Sequence, residues 1–495
     1  MKKIYFILIM FVWIVLPALL VRTLQAQGYG GPLTYQGMDQ FLLQSAASRG
    51  MGGITIGSEG DIAVMFTNPA SLTTIQGMQI SIGGQMSDRN LNQEQNYAPV
   101  RYYSNLSLLL EGKTGGIPDP DTSLVGFSPQ DTVQRPYDNI GPNWSRSESS
   151  RLPLQVMLAV PVTLGRIRLA AGAGIVTYAD LSHYFQNNNV LSPAILSQRP
   201  LPTLRPTDDK PIEVAWDQSM RSRDGSIRGY GIALAGLLEK YDLALGISGV
   251  VLKGSSDDSE QQVGRGNLTF FSNAFRADSV YSRITKTGTS DYSGFEFTFS
   301  GILKGRFVSI GFSVKPPNTI TRTFDMRVST DTSGTPLVSM IHGEDKLRLS
   351  WRGTAGLSFA LRENLRLGLE YEYRPYESVR YTDFTGQETT PWLPASLFRV
   401  GAEYKITPWM ILRGGMQGEA EIFQPEGNEI ADEPVSYTIY SAGLGFLYKR
   451  FHLDVTYQNS DIKYQDTWAS AISKNSTRIN TIVAQVSYEF TFLAD

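Results

Sequence analysis

The stretch RINTIVAQVSYEFTF, Arg478 to Phe492, alternates apolar and polar residues almost without a fault. Ile482, Ala484, Val486, Tyr488, Phe490 and Phe492 fall on one face, and Gln485, Ser487, Glu489 and Thr491 on the other. Successive side chains of a strand point to opposite sides, so a period of two reads as a strand with one apolar and one polar face. A long strand of this kind, ending in aromatics, fits the last strand of a membrane barrel, whose outside meets lipid and whose inside meets water.

The same pattern recurs upstream in pairs. Phe451–Gln458 follows Tyr440–Tyr448 across a turn at Lys449-Arg450, and Trp409–Gln417 follows Phe398–Ile406 across Thr407-Pro408. Leu365–Tyr373 follows Leu347–Phe359 across Arg362-Glu363-Asn364. Three further hairpins are Leu154–Leu164 with Ile167–Tyr178, Ser226–Leu237 with Asp242–Lys253, and Ser290–Ile302 with Phe307–Thr323. Their turns are Gly165-Arg166, Glu239-Lys240-Tyr241 and Lys304-Gly305-Arg306, and the unpaired strand Met78–Met86 begins the series. The count is about fourteen strands of roughly ten residues, the length a tilted strand needs to cross a bilayer.

The connections alternate in length. Six short turns face seven long loops: Ser87–Pro153, Ala179–Gly225, Gly254–Thr289, Phe324–Glu344, Pro375–Ala395, Gly418–Pro434 and Gln465–Thr477. Short periplasmic turns, long outer loops and an even strand number are the pattern of bacterial barrels. A soluble sandwich or propeller would also alternate. Here, however, one face is apolar while the other carries Arg348, Arg352, Arg366, Glu370, Glu372, Arg399, Glu403 and Lys405. Charges of both signs facing inward predict a lumen filled by paired side chains.

Composition narrows the classes. A formal net charge of −3 leaves no basic footprint for nucleic acid. The absence of cysteine excludes disulfides, thiolate metal sites, a cysteine nucleophile and a lipid anchor through an N-terminal Cys. Lys2 and Lys3, an apolar run from Ile4 to Val21 interrupted by Pro17, and a small residue at Ala26 read as a signal peptide over 1–26. Beyond it no stretch approaches the ~20 apolar residues of a spanning helix, so any crossing must be made by strands.

Catalytic and metal chemistry leave no signal. His183, His342 and His452 are scattered without ligand spacing, and neither a hydrolase constellation nor a cofactor motif is present. The chain reads as no enzyme and as needing no cofactor. The acidic run Ser255–Glu260 and the stiff Pro118–Thr122 read as solvated loop segments, although hard oxygen ligands for a divalent cation are present in the first. Gly172, Gly174, Gly231 and Gly236 lie within strands, where glycine marks bends or close contacts rather than phosphate loops.

Residues 27–77, before the first strand, are rich in small residues: Ser45-Ala46-Ala47-Ser48-Arg49-Gly50-Met51-Gly52-Gly53, then Gly60 to Leu72 with Asn68-Pro69-Ala70. Glycine and alanine permit close backbone approach in a confined space, and Asn-Pro initiates a turn. Phe66-Thr67-Asn68-Pro69-Ala70-Ser71-Leu72 just ahead of the first strand resembles the FadL-type outer-membrane transporters of hydrophobic compounds. Leu152-Pro153-Leu154 with Val160-Pro161-Val162, and Val314-Lys315-Pro316-Pro317, are similar to that family's pattern too.

The resemblance implies a fourteen-stranded barrel over 78–492, plugged by an N-terminal hatch over 27–77 in which Asn68, Pro69 and Ala70 are hatch residues. It implies passive import of long-chain fatty acids or aromatic hydrocarbons across the outer membrane of a Gram-negative-type bacterium, by a monomer among outer-membrane lipids. Ala47 to Gly53 also resembles a PorV-like branch that serves as a carrier in protein secretion. Secretion-system proteins are therefore the alternative partners.

Overall fold

In the computed structural model, residues 34–96, 143–164, 167–192, 207–271, 275–278, 282–332, 335–420, 422, 435–468 and 471–490 are described. The expected signal peptide lies outside them. Fourteen strands form the wall: β1 Met78–Asn96, β2 Trp144–Leu164, β3 Ile167–Asp180, β4 Ile212–Leu238, β5 Leu243–Phe270 and β6 Ser282–Leu303. Next come β7, in two pieces (Val308–Lys315 and Asn318–Asp331), and β8, also in two (Leu337–Leu349 and Arg352–Arg362). The series ends with β9 Leu365–Tyr373, β10 Leu397–Thr407, β11 Met410–Ala420, β12 Ser436–Tyr448, β13 Phe451–Trp468 and β14 Ala471–Phe490. Each strand pairs antiparallel with the next, and β14 pairs back onto β1 from Met78↔Phe490 to Asn96↔Ile472. The sheet closes, so no unpaired edge faces lipid at that seam.

The alternation that reads as a strand sets the two faces. Ile82, Val156, Ile232, Ile247, Phe297, Leu412, Val455 and Ile482 are exposed on the outside, whereas Val483 and Gln485 on β14 are buried inside. Exposed aromatics mark both margins of the apolar belt: Tyr241, Phe307, Trp409, Tyr448 and Phe451 at the short-turn end, and Tyr230, Tyr371, Phe398, Tyr440 and Tyr457 at the other. Such girdles sit at the two interfaces of a bilayer. Among the described residues no helix is long and apolar enough to cross a membrane.

Two features differ from the sequence reading. First, the strands continue far into what reads as long loops: β5 and β6 remain in register from Leu243↔Leu303 to Gly264↔Ser282. Beyond the bilayer no face need be apolar, so the hydrophobic signal stops while backbone pairing, which is indifferent to side chain, goes on. The acidic run at Ser255–Glu260 therefore lies in β5, and Asp258 is buried and ion-paired with Arg223 at 2.7 Å and Arg322 at 3.0 Å.

Second, β7 and β8 are broken side by side, at Pro316-Pro317 and at Ser350-Trp351. Proline offers no N–H to the ladder. Inward positions are odd up to Lys315 on β7 and even from Ile320 onward, and β8 switches in step. The two strands stay in register with each other, Lys315↔Arg352 and Asn318↔Leu349. On β6, by contrast, Phe295 to Thr298 have no ladder partner on the β7 side.

The N-terminal segment crosses the interior. A short helix α1, Ala46–Gly50, is capped by Ser45 and packs against β11 to β14. The 3-10 turn Pro69–Thr74 packs against β3, β4, β5 and β6 on the opposite wall. Small residues make this fit: a Cβ on Gly415 would lie 2.3 Å from the Gly52 nitrogen, and one on Gly246 2.4 Å from the Ala70 nitrogen. Gly52 itself has φ +68, a conformation that glycine adopts without penalty. Phe66, Met65, Leu72, Met157, Tyr178 and Leu252 join segment and wall in one buried apolar cluster.

Candidate functional site

A cavity of about 360 Å³ lies inside the barrel, with the N-terminal segment forming part of its lining. Its outer end mixes apolar and polar side chains, with Arg89, Ser460 and Thr477 beside the apolar ones. Leu91 of β1, Trp144 of β2, Ile439 of β12, Ile462 and Tyr464 of β13, and Ile479 of β14 line it there. The other end is polar and charged, lined by Arg49, Gln85, Lys315, Arg352, Glu372 and Arg399. From Gln85 to Leu91 the inward residues of β1 climb from one end to the other, a rise of roughly 20 Å at ~3.3 Å per residue.

The charged end is built mostly of satisfied pairs. Glu296, 2 % exposed, accepts from Tyr178 Oη at 2.6 Å and from both Lys315 Nζ and Arg352 Nη2. Glu296 comes from the stretch of β6 that lacks ladder partners, and Lys315 immediately precedes the two prolines of β7. Side-chain charge thus closes the wall on the inside where the backbone ladder is interrupted. Nearby, Arg399 pairs with Glu372 at 2.6 Å and Glu370 at 3.4 Å, and Arg374 pairs with Glu372 at 2.7 Å. Glu370 also accepts from the backbone nitrogens of Thr55 and Ile56, tying the N-terminal segment to β9.

Two ionisable groups of the N-terminal segment line the same cavity. Burial pushes the Asp39 carboxyl up to about 6, with Glu419 adding to the rise and Arg89 and Arg374 opposing it. Burial alone lowers the Arg49 guanidinium to about 10. A charged group taken out of water without a counter-charge disfavours its charged form, the direction Arg49 shows.

The residues singled out from sequence fall in different places. Arg352, Glu370, Glu372 and Arg399 come together at the charged end of the cavity. Arg366 reaches the N-terminal segment, donating to Gly57 O and pairing with Glu59 Oε2, each at 2.7 Å. Glu403 pairs with Arg413 at 2.8 Å, and Lys405 is exposed two residues further along the same face. Arg348 does not face the lumen: it is exposed, and the buried Leu347 and Leu349 take the interior. The break at Ser350-Trp351 reverses which positions point inward, so a pattern extrapolated through it assigns Arg348 to the wrong face.

Asn68 is fully buried and donates to Thr55 O at 3.2 Å, while the Ala70 N–H donates to Ser300 Oγ at 2.8 Å. Pro69 opens the 3-10 turn. His452 lies 3.3 Å from Asp454, His342 is exposed beside Asp325, and His183 is buried. No group of three or more metal-ligating side chains comes together among the described residues. Sequence reasoning missed Glu296 and Arg49 as site residues. The signal for the first was a lone carboxylate between Phe295 and Phe297 in an apolar strand.

No family profile matches the chain, and no curated protein is similar to it in sequence. Solved structures do match over nearly the whole length. The chain is similar to a FadL homologue of Pseudomonas aeruginosa, with TM-score 0.60, 12% identity, and 91% of this chain and 100% of that one covered. It is also similar to the toluene transporter TodX of Pseudomonas putida, with TM-score 0.52, 12% identity, and 91% and 100% covered. The monoaromatic hydrocarbon channel CymD gives TM-score 0.51 at 13% identity, with 91% and 99% covered. At such identity the likeness establishes the fold, a closed antiparallel membrane barrel.

Proposed function

We propose that this barrel is a passive channel for small hydrophobic molecules in the outer membrane of a Gram-negative-type bacterium. The observation that carries the reading is the cavity, lined in part by Leu91, Ile439, Ile462 and Ile479 and bounded by the N-terminal segment within the barrel. A hydrophobic molecule gains ~25 cal/mol per Å² of apolar surface when it leaves water for such a lining, so capture needs no energy source. Residues 34–77 act as the hatch. The turn at Asn68-Pro69-Ala70 fixes one end against β6, and the Glu370 bonds to Thr55 and Ile56 hold the middle. Passage then requires the hatch to shift locally while the closed wall stays intact.

The solved relatives with this fold include proteins described as hydrocarbon channels and toluene transporters, which supports the reading for ligand class. The test is uptake of labelled toluene and dodecane by proteoliposomes and by cells with and without the protein. Faster uptake of at least one compound is expected, and equal rates for every hydrophobic compound would refute the proposal. A channel of this kind purifies as a monomer without stoichiometric partners. A pull-down from native membranes that returned a stoichiometric secretion component would favour the export reading instead.

A further inference from the structure

Outside the lumen, the lipid-facing wall carries an apolar groove of about 860 Å³ across β1 to β6. Two cross-strand rows shape its first half: Leu158↔Ala173↔Ile232, and below it Val160↔Ala171↔Leu234. In each row a small side chain on β3 stands between larger ones on β2 and β4, so a trough runs along β3 over the exposed Ala173 and Ala171. Neighbouring strands lie ~4.8 Å apart, so the flanking strands are roughly 10 Å apart, which leaves room for one alkyl chain between their side chains. Two outward-facing positions beyond Ile232 on β4 stands Arg228, directly opposite Lys253 on β5. Both are exposed, and no carboxylate among the described residues lies within ion-pair distance of either. They sit just beyond Tyr230 of the outer aromatic girdle. Like charges directly opposite each other on a strand pair repel. The nearest acids on that face lie further out, Asp291 by one row and Asp224 with Asp257 by two.

We propose that this face of the wall is a binding site for a phosphate-bearing lipid of the outer leaflet. The phosphate sits between Arg228 and Lys253, and an acyl chain lies in the trough over Ala173 and Ala171. From Arg228 to Ile232 the rise is roughly 13 Å at ~3.3 Å per residue, the span of a headgroup, its linker and the first methylenes. Guanidinium and ammonium groups both donate to phosphate oxygens, and a shared phosphate turns the repulsion of the two cations into attraction to one anion. A neutral lipid fills the trough but leaves the cations uncompensated, whereas a free anion meets the cations and gains nothing from the trough. The occupant is a lipid held on the outside of the barrel rather than cargo, so the inference stands apart from what passes through the lumen.

Native mass spectrometry of the detergent-purified full chain tests this with phosphatidic acid, with diacylglycerol carrying the same chains, and with inorganic phosphate as competitor. The intact protein is expected to retain phosphatidic acid at least fivefold better than diacylglycerol, and inorganic phosphate should not displace it. Arg228→Gln with Lys253→Gln should abolish the preference without altering heat-modifiable mobility. Ala173→Leu, which fills the trough, should lower retention of both lipids at least threefold. Equal retention of the two lipids by the intact protein, or an undiminished preference in the double variant, overturns the proposal. So does unchanged retention in Ala173→Leu, which would remove the chain from the trough. Displacement by inorganic phosphate would reduce the site to one for a free anion. An equal loss in Lys474→Gln, an exposed cation elsewhere on the outer rim, would reduce it to bulk charge attraction.

Discussion

Two arginines at the same end of the cavity behave differently. Arg352, on the wall, is 4% exposed and ion-paired to Glu296, which also holds Lys315 and Tyr178. Arg49, on the segment that crosses the interior, is 6% exposed and donates to an amide oxygen, that of Gln85. The difference separates charge that ties the barrel wall together from charge that the N-terminal segment buries against an amide. On the wall, ion pairs bridge the place where β6 and β7 lose their ladder. On the segment, a cation is buried with no carboxylate among the described residues within ion-pair distance, and its cost is carried by the surrounding fold.

The largest expected effect comes from breaking the wall cluster. Glu296→Ala strands Lys315 and Arg352 as buried cations and should destabilise the barrel by ~3–5 kcal/mol, read as a lower urea midpoint in heat-modifiability gels. If the midpoint is unchanged, the cluster is not what closes the interrupted seam. A smaller effect is expected at the tie between wall and segment. Glu370→Gln weakens its bonds to Thr55 and Ile56 and should cost ~1–3 kcal/mol, seen as faster amide exchange at those two residues with little change in global unfolding.

Arg49→Met sharpens the comparison most cleanly, because its removal leaves no carboxylate among the described residues unpaired. A change of no more than ~1 kcal/mol, of either sign, is expected, against a loss several times larger for Arg352→Met measured in the same way. Equal losses for the two would erase the distinction. Smallest of all, Arg348→Ala removes an exposed side chain and should stay within ~0.5 kcal/mol of the parent. A large loss would place Arg348 back inside.

Much of the wall was legible in sequence because the bilayer imposes a strict rule: where lipid lies outside and water inside, residues must alternate. Ile482 against Gln485 obeys it, and so does Phe297 against Glu296. Outside the bilayer the rule lapses, and the paired outer parts of β5 and β6 carry mostly polar residues, Ser, Thr, Gly, Asp, Glu and Gln, with no apolar alternation to read. The same logic explains Arg348. Nothing in the alternation announces that Ser350-Trp351 would break the strand, even though Pro316-Pro317 on the neighbouring strand marked the level. The cavity was less legible still, since it is assembled from residues far apart in sequence whose pairing is set by closure. Small residues at Gly50 to Gly53 signalled close approach, but the charge of Arg49 beside them carried no hint that an amide, Gln85, would receive it.

The central claim is a closed membrane barrel whose own leading segment stops the lumen, and planar-bilayer conductance tests it most directly. The intact protein should show no steady ion current, whereas a variant lacking residues 34–77, verified as folded by heat-modifiable mobility, should form large open channels. Steady conductance through the intact protein, or an equally tight barrel without the segment, would contradict the account.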